Sequence, residues 1–286
     1  MISSLRINIF RRFIYLSCLI HTIIAYKVYQ FQSEFYVFEY RFPFYKSELL
    51  KGLILDNLMI LYWLLVALLF VGFIKGTASR LYTVSLYLIF ISLEKAIWPV
   101  LDGGNNFTHL VIFFLILINE KKCRSSALSK VFKFLIISQL CLVYFFSVIS
   151  KFQNPIWLNG TAIFYVLTSY QYSTNWVSEF VRTINPAILV IPTYFILFFQ
   201  FTYPLGVTNQ NLKRYYIIVG IFFHLFIGII MGLPSFAVHF ISAYSIFLNY
   251  NAIKWILRKK ANTKTYIRKP LNLFKDKFTI FTSFLS

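Results

Sequence analysis

Apolar runs separated by short polar breaks repeat along this chain from end to end. They fall at roughly 8–26, 57–75, 81–100, 107–119, 131–150, 187–206, 215–233 and 234–250. A helix that crosses a bilayer needs about 20 apolar residues, or somewhat fewer where the bilayer thins. Most of the runs meet that length. The run at 107–119 is short, and the last two nearly touch through Gly232-Leu-Pro-Ser235, which reads as a tight turn. The pattern predicts an all-α integral membrane protein with about eight transmembrane helices in one bundle over residues 1–250. A basic, aromatic-rich tail occupies 251–286. The first run follows basic residues, as in a signal peptide, but it is long and no small-residue cleavage site follows, so a retained span is expected.

The lysines and arginines give this list of runs an orientation. Alternate loops and the tail carry twenty-one of them, including Arg6, Arg11, Arg12, Lys75, Arg80, Lys121, Lys122, Arg124, Lys130 and Lys133. The other set of loops carries six: Lys27, Arg41, Lys46, Lys51, Lys151 and Arg182. The positive-inside rule then expects both termini in the cytoplasm. Two longer segments, 27–56 and 151–186, lie outside, and their Tyr, Phe and Trp suit the headgroup zone.

Composition agrees with the pattern. The 286 residues are 59% hydrophobic and only 13% charged, where a soluble domain would have about a quarter charged. The net charge of +19 sits in short loops and in the tail, as a topology signal does, so a nucleic-acid partner is excluded on placement. The expected partners are the lipid bilayer and, for the tail, anionic lipids, with a peptide substrate as a further option. The tail also reads as a partly disordered stop signal. Cys18, Cys123 and Cys141 form no CxxC pair, which argues against disulfides and a cysteine metal site. The four histidines lack metal-ligand spacing, and no serine-hydrolase or phosphate-loop signature is present. Asn106-Phe-Thr108 and Asn159-Gly-Thr161 are glycosylation sequons that matter only in a eukaryotic secretory membrane.

Polar residues inside apolar runs are costly and mark the places where chemistry could occur. Lys151 lies at the outer end of the fifth run. One reading is an anchor whose amine snorkels to the interface. The other is a base, since lysine can lose its proton when desolvated. Glu94 and Lys95 end the third run, Asp102, Asn105 and Asn106 follow in a turn, and His109 opens the fourth run. His224, His239 and Gln200 lie in the last three runs. Glu94 and Lys95 point about 100° apart on a helix, so each needs a partner on another element. These residues read either as a buried structural network or as a site open to the outer leaflet.

Four blocks resemble the horizontally transferred transmembrane (HTTM) domain family, which includes the membrane domain of vitamin K-dependent gamma-carboxylase. They are Leu5-Arg6-Ile-Asn-Ile-Phe10-Arg11, then Asp102-Gly-Gly-Asn-Asn106, then Tyr144-Phe-Phe with Lys151-Phe152, Trp157 and Gly160-Thr-Ala, and finally His224 with Gly232 and Ser235-Phe236. The chain is also similar to the membrane factor that matures the bacterial sporulation-delaying peptide toxin. The resemblance covers about 1–250, and its third block is the most specific. It implies that Lys151 is a catalytic base with a vitamin K hydroquinone-like quinol as cofactor. Beside it, the polar positions and blocks read above make His109 and His224 the candidate catalytic partners, and Glu94, Lys95, Asp102, Asn105, Asn106, Trp157, Gly160, Gln200 and His239 the candidate pocket residues. Phe107 stands where the carboxylase has a histidine, and no counterpart of that enzyme's lumenal domain is expected.

The expected function is therefore a membrane-embedded modifying enzyme that uses Lys151 at the outer leaflet. The alternative is a non-catalytic accessory factor for peptide maturation, export or immunity. A transporter ranks last, because no inverted repeat is visible.

Overall fold

The computed structural model describes residues 2–35, 48–76, 79–118, 126–169 and 171–248. Arg41, Lys46, Lys121, Lys122, Cys123, Arg124 and the whole tail 251–286 lie outside the described residues. One compact unit holds Ser3–Ile246; the second, from Phe247 onward, is almost entirely outside the described part.

Among the described residues the chain is all helix. In order it forms α1 (Ile2–Ile24), α2 (Tyr26–Phe35), α3 (Glu48–Asp56), α4 (Leu58–Lys75), α5 (Arg80–Ala96) and α6 (Gly103–Leu117). It continues with α7 (Ser126–Phe152), α8 (Pro155–Leu158), α9 (Ala162–Thr168), α10 (Asn175–Thr183), α11 (Val190–Thr208), α12 (Lys213–Ile230) and α13 (Pro234–Ala243). Five helical stretches are long and apolar enough to cross a membrane: Leu5–Ile24, Leu58–Lys75, Ala127–Phe152, Pro186–Thr208 and Lys213–Ile230. These make the fold that of an all-helical membrane protein. Two of the expected spans are shorter than their apolar runs. The run at 81–100 gives α5, which stops at Ala96 before a 3₁₀ turn. The run at 234–250 gives α13, ten residues or about 15 Å long, followed by a 3₁₀ turn over Tyr244–Phe247.

Local signals explain the breaks. Ser79 caps α5 by accepting from the Tyr82 amide at 3.2 Å. Gly76 ends α4 at φ 67°, a left-handed conformation that a Cβ disfavours. Asp102 caps α6 through a capping box with Asn105. Pro234 opens α13 at a position where its missing N–H is not needed.

Burial separates the helices into inner and outer positions. The window of α1 is 56% buried and that of α12 only 17%, so α1 runs through the middle while α12 lies outside. Ile191, Phe198, Leu205 and Phe222 are exposed apolar side chains, a surface suited to lipid. The principal helix contacts are α12 with α13, α7 with α11, α6 with α13, and α5 with α4 and α6. Gly220 permits one of the closest approaches, because a Cβ there would collide with the Tyr244 hydroxyl.

The ends of the bundle differ in chemistry. At one end Arg12 donates to the Lys75 carbonyl at 2.7 Å and Arg80 to the Ile116 carbonyl at 3.2 Å. Cations near C-terminal carbonyls are favourable there. At the other end, the last turns of α1 and α5 meet the first turns of α6 and α13.

Candidate functional site: two polar centres on either side of one helix

The first centre forms around Glu94, whose side chain is fully buried. Asn105 Nδ2 donates to Glu94 Oε1 at 2.6 Å. His21 Nε2 lies 3.2 Å from the same oxygen, and His109 Nε2 approaches Oε2. A buried carboxylate needs such partners, since a lone charge in this setting costs several kcal/mol. Asn105 Nδ2 also lies 3.0 Å from His21 Nε2, and His21 Nδ1 reaches Ser235 Oγ at 2.6 Å. His239 stands beside His21, with ring centroids 5.4 Å apart, and its Nδ1 meets Ser17 Oγ at 3.2 Å. Asp102 accepts from the amides of Gly104 and Asn105 at 2.7 and 3.2 Å. Burial pushes its carboxyl above the usual range, against the pull of those two amides. The Asn105 side chain accepts from the Asp102 amide, which fixes the orientation of the Nδ2 group presented to Glu94.

The second centre lies at the end of α7. Lys151, Ser147 and Tyr144 share one face of that helix and line a cavity of about 180 Å³ with His224, Gln200 and Trp157. Lys151 Nζ is 2.6 Å from Ser147 Oγ and 3.3 Å from the Ser147 carbonyl, and it sits 5.1 Å from the Trp157 ring centroid. Ser147 Oγ donates to Gln200 Oε1 at 3.5 Å. Behind them the Tyr144 hydroxyl joins His224 Nε2 and the Tyr244 hydroxyl, each at 2.6 Å. His224 Nδ1 is buried and meets no protein partner among the described residues. The His224 ring stacks on Phe240 at 4.5 Å, and Phe240 stacks on Phe107 at 4.9 Å. Phe107 therefore lies one ring behind the cavity wall.

Helix α13 stands between the two centres. Ser235 and His239, four residues apart, face the Glu94 group, while Phe236 and Phe240 line the Lys151 cavity. The i, i+4 spacing places each pair on its own face of the helix.

The residues expected to form one pocket are thus divided. Lys151, His224, Gln200 and Trp157 come together in the cavity. Glu94, His109 and Asn105 form the other centre, with Asp102 as its cap and His239 at its edge. Gly160 shapes the turn after Trp157 at φ 81°. Asn106 is exposed, and Lys95 is half-buried, with no hydrogen bond or ion pair among the described residues. Sequence reading did not single out His21, Ser235 or Ser147 as site residues. For Ser147 a signal existed, since it lies four residues before Lys151 on a helix. For His21 the signal was a histidine inside the first apolar run, but no local pattern shows that it meets Ser235, 214 positions away. Among the described residues no three His, Cys, Asp or Glu side chains are arranged to hold a metal ion.

Fold and site together define a helical membrane protein with two buried polar centres, one of which opens on a cavity. No family model matches this chain, and neither does any curated protein or solved structure.

Proposed function

We propose that this protein is a membrane-embedded enzyme in which Lys151 acts as a general base on an apolar partner that enters from the outer leaflet. The observation that carries the reading is the place of the Lys151 amine. It lines an aromatic-walled cavity beside His224 and Gln200, and no carboxylate pairs with it among the described residues. The HTTM resemblance of the Lys151 block supports the same role. The asymmetry of twenty-one against six basic residues supports an outward-facing Lys151 end and cytoplasmic termini.

The residues also fit the planar quinol that the resemblance implies. Trp157, Phe223, Phe236 and Phe240 offer flat apolar walls, and the unpartnered His224 Nδ1 offers a polar contact for a ring hydroxyl. Further polar contacts for its ring hydroxyls would come from Lys151, Ser147 and Gln200, which line the same cavity. Such a quinol, when bound, would supply reducing equivalents. The chain's own part is to hold the ring, exclude water and take up a proton at Lys151 Nζ.

A specific contact favours a second reading. The amine rests over Trp157 and reaches the Ser147 carbonyl, as an anchoring lysine does at a helix end. Under this reading the protein is a non-catalytic accessory factor for a peptide. Lys151→Arg separates the two, because it keeps the charge and the ring contact but cannot give up its proton. In cells whose own copy is deleted, the variant is expected at normal membrane levels without restoring the lost phenotype. Full restoration removes the base.

A further inference from the structure

We infer that Ser147 and Lys151 form a nucleophile–base dyad, and that the cavity and the groove behind it accept a long-chain carboxylic ester for acyl transfer. The inference rests on the reading of Lys151 as a base and adds the atom on which that base acts.

Three observations point to it. Ser147 Oγ and Lys151 Nζ are 2.6 Å apart, within the reach required of a nucleophile and its base, and both line the same cavity. A serine hydroxyl is a weak nucleophile until an adjacent base takes its proton, and a lysine in a desolvated pocket can supply that base. The fixed i, i+4 spacing on α7 holds the two in contact without help from a loop.

The surroundings complete what acyl transfer needs. Gln200 Oε1 lies 3.5 Å from Ser147 Oγ, so the Gln200 amide borders the nucleophile, and with Lys151 neutral the Ser147 hydrogen turns from that oxygen to Lys151 Nζ. Behind the dyad, Tyr144 can donate to His224 Nε2, so that the imidazole carries its hydrogen on Nδ1. Gln200 and His224 both line the cavity that holds Ser147, and they are the side chains we assign to donate to a developing oxyanion.

The substrate class follows from the adjoining space. A second cavity of about 570 Å³ shares Ile163, Ile196, Phe223 and Phe226 with the first, and every residue lining it is apolar or aromatic. Its volume is in the range of small-molecule sites, and it offers no polar contact, so it suits an aliphatic chain. On this proposal a chain seated there runs its carboxyl end past the shared residues toward Ser147.

The step balances as follows. Ser147 Oγ bonds to the carbonyl carbon and its proton passes to neutral Lys151 Nζ. The ester C–O bond breaks, and the departing alkoxide takes the proton from Nζ. Water or an acceptor hydroxyl then attacks the acyl-serine, gives its proton to Nζ and releases the acyl group, and Ser147 recovers its hydrogen.

The test uses the full chain in membranes, treated with a fluorophosphonate carrying a long alkyl chain, with the adduct located by mass spectrometry. The expected result is one phosphonyl group on Ser147, absent from Ser147→Ala and formed at least tenfold more slowly in Lys151→Arg. A short-chain fluorophosphonate is expected to label at least fivefold more slowly, as the apolar groove requires. No adduct on Ser147, or an adduct rate that Lys151→Arg leaves unchanged, overturns the dyad. Complementation distinguishes this failure from failure of the base reading. If Ser147→Ala restores the phenotype while Lys151→Arg does not, the base stands and the dyad falls. If Lys151→Arg restores it, the base falls as well.

Discussion

Replacing Glu94 with alanine removes the acceptor on α5 on which two other helices converge. The side chain is fully buried, and α1 and α6 reach it from α5's neighbours through His21, Asn105 and His109. An interhelical hydrogen bond in a membrane protein is worth about 0.6 kcal/mol on average and up to about 1.7 kcal/mol. Three such contacts give about 2–5 kcal/mol. Removing one partner of a buried ion pair costs about 3–5 kcal/mol, an independent figure that overlaps this window. The expected loss for Glu94→Ala is therefore about 2–5 kcal/mol. At the lower bound that is roughly a 30-fold fall in the folded-to-unfolded ratio. Reversible unfolding in bicelles, followed by steric trapping, measures it. Glu94→Gln keeps an acceptor for Asn105 and is expected to fall between wild type and alanine. A loss below about 0.5 kcal/mol for alanine would refute the reasoning, because it would mean that the cluster re-forms without its carboxylate. A double-mutant cycle with Asn105→Ala adds a second check. The 2.6 Å contact requires non-additivity above about 0.5 kcal/mol.

Two further outcomes follow from the geometry. Gly160→Ala places a Cβ 2.8 Å from Val190 Cγ1 at a backbone φ of 81°, so a loss of about 1–3 kcal/mol is expected in the same unfolding assay; an unchanged midpoint would show that the turn after Trp157 is not fixed by this glycine. In a Cys123→Ser background, a cysteine at Asn154, an exposed position just past α7, is expected to react with a membrane-impermeant maleimide added to intact cells, since Cys18 is buried and Cys141 lies in a helix long and apolar enough to cross a membrane. Labelling that needs permeabilised cells would reverse the proposed orientation.

The helices were largely legible from local pattern. The runs at 57–75, 131–150, 187–206 and 215–233 fall within about five residues of α4, α7, α11 with its 3₁₀ turn, and α12. The pattern was weaker where an apolar run outlasts its helix. Residues 234–250 stay apolar, yet α13 gives way to a 3₁₀ turn where Tyr244 packs against Gly220. Hydropathy measures solvent preference and is blind to such a contact. The candidate site was legible as a set of residue types but not as a grouping. Glu94 and Lys95 are neighbours in sequence, and only Glu94 turns inward to histidines on two other helices.

The sequence by itself determined the solvent of this protein, because transfer free energy adds along a helix and needs no partner to be read. It also determined which polar residues must find company, since each costs energy wherever it is buried. The tertiary structure alone decided which company each one has. Helix α13 carries Ser235 and His239 on one face and Phe236 and Phe240 on the other, and that placement separates the Glu94 centre from the Lys151 cavity. Such partitions depend on helix rotation and crossing, which are set by side chains hundreds of positions apart, and no local pattern encodes them.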